Sequence, residues 1–447
     1  MTRGAGPGAW PIRVWHGRTG GHWPIRLAGL LAALLPVFAP AAAAPPSPDR
    51  LERVVILTRH GVRGPMSSAE ELGRYTTLAW PRFSAPPGIL TARGATLMTM
   101  MGGWYRARYQ AAGLLGPNDC SVYLWANHTQ RTEATGKALA DGLAPGCGLA
   151  LNQSPHAPDP LFDAPLTPLA PPNPARLLAA ISARVGGNLA AWDARQRPDL
   201  ERLDALLLQC ARMPCQTNER ARAARRLEET PIALRLDDKG TLQLSSPTLA
   251  VGGVAESLIM AYADGRDFAG WRGIDASTIG AALPIYGAAL DLTTRTPEVG
   301  RQSSTYLAMR LLATLQRGAR EPVLADPVGN NEKIVLLAGH DGTITMLAGL
   351  LGLNWHLPGF AAGEASPGGA LIFELWRRGA TKEPFVRVLY AAQTLDQMRN
   401  MVPLSVDRPP ETAAVPVPPC ADARSGCPLR SFAAHVLARV APAPPPR

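Results

Sequence analysis

Short apolar runs alternate along this chain with longer stretches of helical spacing. Arg53–Thr58 (R-V-V-I-L-T), Val122–Ala126 and Lys333–Ala338 (K-I-V-L-L-A) are rich in β-branched residues or leucine and too short for helices, so they predict buried strands. Residues Ala92–Ala112 and Thr129–Gly142 read as helices between them. Strand–loop–helix alternation predicts an α/β fold with a mainly parallel central sheet flanked by helices. The middle of the chain, 164–295, differs. It carries Ala, Leu and Arg at helical spacing in Pro198–Leu208, Gln216–Glu229 and Leu249–Ala263, with one short hairpin at Ala233–Leu244. It predicts a smaller helical cap inserted into the α/β domain, whose two parts are 44–163 and 296–440. The Pro-rich segments Arg408–Pro419 and Ala441–Arg447 predict a loop and a frayed tail, the tail taken as 441–447.

The amino terminus follows another pattern. Arg3, Arg13, Arg18 and Arg26 precede an apolar stretch, Leu27–Phe38, and then the small residues Ala39, Ala41, Ala42 and Ala43. Residues 1–43 thus predict a secretory signal peptide and a mature chain in the periplasm or outside the cell. A membrane anchor fits less well, because the apolar core is short and broken by Pro36 and Pro40. At 447 residues and 46% hydrophobic, the chain can bury a substantial core, which excludes general disorder. Its net charge of +10 comes partly from the leader, and no Lys/Arg run follows, so nucleic acid is not an expected partner.

Export makes the six cysteines readable as disulfides. Short loops favour Cys210–Cys215 and Cys420–Cys427, leaving Cys120–Cys147. No C-x-x-C or H-E-x-x-H occurs, so the sequence predicts no metal site.

The sharpest local feature is T-R-H-G-V-R-G-P, Thr58–Pro65, directly after a predicted buried strand. In open α/β sheets ligands bind beyond the carboxyl ends of strands. Arg59 and Arg63 would hold an oxyanion there through charge-assisted hydrogen bonds, and His60 between them could attack phosphorus. The bland alternative is a surface loop with a packed histidine. A second strand ends at L-A-G-H-D-G-T, Leu337–Thr343, where His340 and Asp341 are adjacent. Asp341 could simply cap the following helix, but it could also protonate a leaving group. Arg131, in A-N-H-T-Q-R-T-E-A-T-G, adds a cation where a strand passes into a helix. Taken alone it is an ordinary residue of a first helical turn. Asn127-His128-Thr129 has the form of a glycosylation sequon, but a glycan there would crowd the crevice.

With these motifs the chain resembles the histidine acid phosphatase family, in its bacterial periplasmic phytase and glucose-1-phosphatase branch. The resemblance runs from about Val54 to Phe432. It includes L-T-A-R-G (Leu90–Gly94), D-P-L-F (Asp159–Phe162), R-T-P-E-V (Arg295–Val299) and G-L-N-W-H-L-P-G (Gly352–Gly359), then P-G-G-A-L-I-F-E and Q-T-L-D-Q-M-R. It implies an α/β domain with a helical cap, and a phosphohistidine mechanism without metal or other cofactor. It also implies His60 as nucleophile, Asp341 as proton donor, and Arg59, Arg63, Arg131 and His340 as phosphate ligands. The substrate would be a small phosphate ester, either phytate or a sugar phosphate. Phytases of the branch resemble R-H-G-x-R-x-P followed within two residues by Lys, whereas Met66 and Ser67 follow Pro65 here. Their H-D is followed by Thr-Asn, and here by Gly342-Thr343. Glu256 matches an acidic pocket position of the branch, although helical pattern alone reads it as a solvated residue. Two other functions remain open: phosphoryl transfer to an alcohol, and non-catalytic binding of phosphate esters.

Overall fold

The computed structural model describes residues 48–441, apart from 77, 169–170, 210–226 and 421. The predicted signal peptide, most of the helix Gln216–Glu229, the Cys210–Cys215 pair and nearly all of the Pro-rich tail lie outside the described residues. The three predicted strands are present as β1 (Arg50–Arg59), β2 (Val122–Ala126) and β6 (Ile334–Gly339). β3 (Leu151–Asn152) extends the sheet beside β2, and the predicted hairpin forms a separate pair, β4 (Ala233–Leu236) with β5 (Leu242–Ser245).

The sheet is mixed. β1, β6, β2 and β3 run parallel, and on the other side of β1 lie β7 (Ala370–Arg377), antiparallel to β1, and β8 (Pro384–Ala392), antiparallel to β7. β9 (Glu411–Ala414) and β10 (Cys427–Pro428) both pair with β8. β9 corrects the expectation of a loop across Arg408–Pro419. Its four residues lack proline, so their backbone can complete the edge of β8.

Strand pleat divides the core into two layers. Val54, Ile56, Ile334, Leu336 and Ile372 face one way, against the helices Ala92–Ala111 and Gln130–Leu143. Val55, Leu57, Val335, Leu337 and Phe373 face the other way, against the helices Pro297–Ala319, Asp341–Leu351 and Leu429–Val440. Both faces are buried, which is why these strands read as continuous apolar runs.

Among the described residues of 164–295, helices predominate. The helices include Pro174–Arg184, Arg197–Leu208, Pro247–Ala263 and Pro284–Thr293. The helix Pro247–Ala263 is the one that matters for the site. Its carboxyl end is tied down by three hydrogen bonds: Thr91 Oγ1 to Asp264, Tyr262 Oη to Asp396, and the Arg399 guanidinium to the Tyr262 carbonyl. The L-T-A-R-G and Q-T-L-D-Q-M-R motifs thus act as anchors. Gly94 has a further role, since a Cβ there would stand 2.1 Å from the Val62 carbonyl oxygen. Only glycine lets the helix Ala92–Ala111 approach the loop after β1 so closely.

Disulfides join Cys120 to Cys147 and Cys420 to Cys427, two of the three expected pairs.

Candidate active site

β1, β6 and β2 lie side by side in register, with Thr58 opposite Ala338 and Ala338 opposite Ala126. Their carboxyl ends therefore deliver Arg59-His60, His340-Asp341 and Asn127 to one place. The ladder continues a residue further: His60 N–H donates to the Gly339 carbonyl at 3.0 Å, and Asn127 N–H to the Ala338 carbonyl at 3.0 Å. Residues far apart in the chain are held to one another by backbone bonds.

Arg59 is fully buried. Its Nη1 donates to the Ala365 carbonyl at 2.7 Å, and its Nη2 contacts Glu256 and lies 3.6 Å from Asp341 Oδ2. Arg63 Nη2 reaches the same Glu256 oxygen at 2.8 Å. Two guanidinium groups thus converge on a single carboxylate oxygen, as they could on a phosphoryl oxygen. Glu256 is correspondingly not a solvated helix residue: only 15% of its side chain is exposed.

His60 is buried between these cations. Its Nδ1 lies 2.9 Å from the Gly61 carbonyl, which can only accept, so Nδ1 carries the proton and the Nε2 lone pair is free. Burial, Arg59 and Arg63 hold this imidazole well below the usual histidine range, against the pull of the Gly61 carbonyl. The ring is therefore neutral in mildly acidic solution. His340 stands 5.7 Å away, centroid to centroid. Burial and Arg131 lower its pKa to about 4. Arg131 lies 3.5 Å from His340 Nδ1, and Asn127 Oδ1 lies 3.4 Å from Nε2. The Asn127 amide is oriented in turn by its bond to Asp163 at 2.5 Å.

Arg131 occupies the first turn of the helix Gln130–Leu143, where a cation opposes the helix dipole. Its Nε is buried and meets no hydrogen-bond partner among the described residues. Asp341 begins the helix Asp341–Leu351 and accepts from Gly342 N–H at 2.9 Å. Burial pushes its carboxyl up, but Arg59, the Gly342 amide, His340 and Arg63 together hold it below the ordinary value.

The remaining predicted pocket residues divide. Ser67 is half-buried and faces the helix Pro247–Ala263, its Oγ 3.4 Å from where a Cβ on Gly253 would stand. Gly342 lies partly open beside Asp341. The Thr343 hydroxyl accepts from His340 N–H and closes the start of the helix. Asn127, read earlier only as a sequon, is buried with its amide engaged and has no room for a glycan. Its position directly after a parallel strand was the signal that could have placed it in the site. Among the described residues, no group of three or more His, Cys, Asp or Glu is placed to hold a metal ion.

The model of the histidine phosphatase superfamily (branch 2) matches residues 50–171 and 276–391. The chain belongs to this superfamily. It is 32% identical over 413 residues to phytase AppA of Escherichia coli, covering 90% of this chain and 95% of that relative. It is 26% identical to a glucose-1-phosphatase of Providencia rettgeri, over 87% of this chain and 93% of the relative. Among solved structures, the Hafnia alvei phytase in complex with tartrate superposes with a TM-score of 0.78 at 31% identity, covering 89% of this chain and 99% of that one. The histidine phosphatase match ends before Glu256 on one side and resumes after it, so that carboxylate comes from the segment between the two matched parts.

Proposed function

We propose that this histidine phosphatase hydrolyses phosphate monoesters through a covalent phosphohistidine at His60. The observation that carries the reading is the neutral His60 ring, with Nε2 free, set among Arg59, Arg63 and Arg131 at the carboxyl ends of β1 and β2. A phosphate ester among these guanidinium groups would present its phosphorus to Nε2. The N–P bond forms as the ester P–O bond breaks, and a protonated Asp341 gives its proton to the leaving alkoxide. Water then attacks the phosphohistidine, Asp341 takes back a proton, and the N–P bond breaks to release phosphate. The arginines supply most where negative charge gathers on the equatorial oxygens.

In the free protein Asp341 is held as a carboxylate by Arg59. An arriving phosphate brings negative charge that offsets that field and raises the carboxyl, so donation requires acidic solution. Activity is expected to rise as pH falls from neutral, and to persist well below the ordinary histidine range because His60 resists protonation.

The relatives named as phytase and glucose-1-phosphatase make inositol phosphates and sugar phosphates the substrate classes to compare. The segment 164–295, which brings Glu256 over the site, is read as a helical cap on an α/β body built from 44–163 and 296–440. Secretion fits the leader-like sequence at 1–43, and no helix among the described residues is long and apolar enough to cross a membrane.

The test is rapid acid-free quenching with radiolabelled ester. Labelled phosphohistidine should form in the wild type and be absent in His60→Ala. Label retained on the His60→Ala protein would sink the assignment. Phosphate release from phytate and from glucose 1-phosphate, compared at mildly acidic pH, then decides the substrate.

A further inference from the structure

One buried acid lies close behind the site and has no part in the chemistry above. Residues Trp355–Gly369 strap the end of β1. Arg59 N–H donates to the Gly369 carbonyl, Gly368 N–H donates to the His60 carbonyl, and Arg59 Nη1 donates to the Ala365 carbonyl. Glu364 sits within this strap at 1% exposure. Its Oε2 accepts from Ala361 N–H at 2.9 Å, and its backbone carbonyl accepts from Trp355 Nε1 at 2.9 Å. Its Oε1 is buried and meets no hydrogen-bond partner among the described residues. The groups whose charge it feels, or that feel its own, are Arg59 from β1, Glu256 from the helix Pro247–Ala263, Asp341 from the helix Asp341–Leu351, Tyr286 from the helix Pro284–Thr293 and Tyr390 from β8.

We propose that Glu364 is a positioning residue of the phosphate site that acts through Arg59. Uncharged, it closes the strap that presents the Ala365 carbonyl to the guanidinium. Ionised, it becomes a third carboxylate, after Glu256 and Asp341, drawing on the charge that a phosphate needs. The inference rests on the phosphatase reading of the site.

Burial is the main cause that raises this carboxyl, with Glu256 and Asp341 adding to it, while the Ala361 amide and Arg59 pull the other way; the result is about 7. Below that value Glu364 is neutral and phosphate meets an Arg59 shared only with Glu256 and Asp341. As pH rises through it, the new carboxylate opposes the incoming anion, and affinity falls.

Glu364→Gln keeps the shape and an oxygen for Ala361 but carries no charge at any pH. The experiment is the dissociation constant of inorganic phosphate, measured by calorimetry for wild type and Glu364→Gln at pH 5 and pH 8. The ligand's own ionisation is common to both proteins and cancels in their ratio. The two proteins should bind alike at pH 5, and the variant about tenfold more tightly at pH 8. A ratio that is the same at both pH values overturns the proposal, because a purely structural residue would weaken binding equally at each. In ester hydrolysis the rise should fall on KM, with kcat little changed.

Thermal melting supplies a second readout. A carboxyl raised above its unfolded value contributes stability at low pH that is lost as pH climbs from about 4.5 to about 7. The variant's Tm advantage should therefore grow from pH 4 to pH 8, and an unchanged difference also counts against the proposal. Should the glutamine variant not fold, Glu364→Met serves the same comparison. Absence of phosphate binding by the wild type at pH 5 would overturn the phosphatase reading itself, an outcome distinct from a flat ratio between two proteins that both bind.

Discussion

At the residue scale, the guanidinium groups have separate duties that substitution can distinguish. Arg131 has an Nε that meets no partner among the described residues and an Nη2 at 3.5 Å from His340, so Arg131→Ala should leave a folded but slow enzyme, down by ~10²–10³ in kcat/KM. Arg59 is tied into the core through Ala365, and its loss should lower Tm as well as activity. Asp341→Asn should be felt most with substrates whose alkoxide needs a proton. Hydrolysis of an alkyl phosphate should collapse, while p-nitrophenyl phosphate, with its stable leaving group, should retain much of its rate. Equal losses on both would remove Asp341 from the role of acid. The core of the site was legible in the sequence because Arg59, His60 and Arg63, and then His340 and Asp341, sit in two short motifs directly after apolar strands. Glu256 and Glu364 were harder, since each reaches the site only through tertiary folding. Glu256 did leave a trace. It is an acid within the apolar stretch Val254–Ala263, and a carboxylate that such a stretch buries must find a cation.

Elements are the scale at which the site acquires its rigidity. The helices Ala92–Ala111 and Gln130–Leu143, which carry the L-T-A-R-G motif and Arg131, cross in near backbone contact. A Cβ on Gly102 would stand 2.2 Å from the Leu139 carbonyl oxygen. Gly102→Val should force these helices apart, lowering stability by about 1–3 kcal/mol in urea unfolding and displacing Arg131, so that KM rises even at temperatures where the protein stays folded. The parallel half of the sheet was readable because its strands alternate with helices. The antiparallel half was not, because no helix separates β7 from β8 and a charged residue, Glu374 in one and Arg387 in the other, interrupts each apolar run. β9 was hidden by its proline-rich surroundings, although proline flanks the paired residues rather than interrupting them.

For the whole molecule, the disulfides lie at the edges rather than at the site. Cys120–Cys147 closes a loop over a sequence separation of 27, joining the approach to β2 to the turn after the helix Gln130–Leu143. Replacing both cysteines by alanine should reduce stability by ~2–4 kcal/mol, measured by denaturant unfolding, with kcat at mildly acidic pH unchanged. The adjacency of β1 and β6 has a consequence in time as well as in space. The two strands touch along their length, yet one is among the first made and the other comes after the whole of the segment 164–295. At a synthesis rate of ~5–20 residues per second, His60 leaves the ribosome some tens of seconds before Asp341. Until then β1 lacks its parallel neighbour and His60 lacks His340 and Asp341 beside it. Chain order thus sets when the site can assemble: His340 and Asp341 cannot stand beside His60 until β6, the sixth of the ten described strands, has been made and paired with β1.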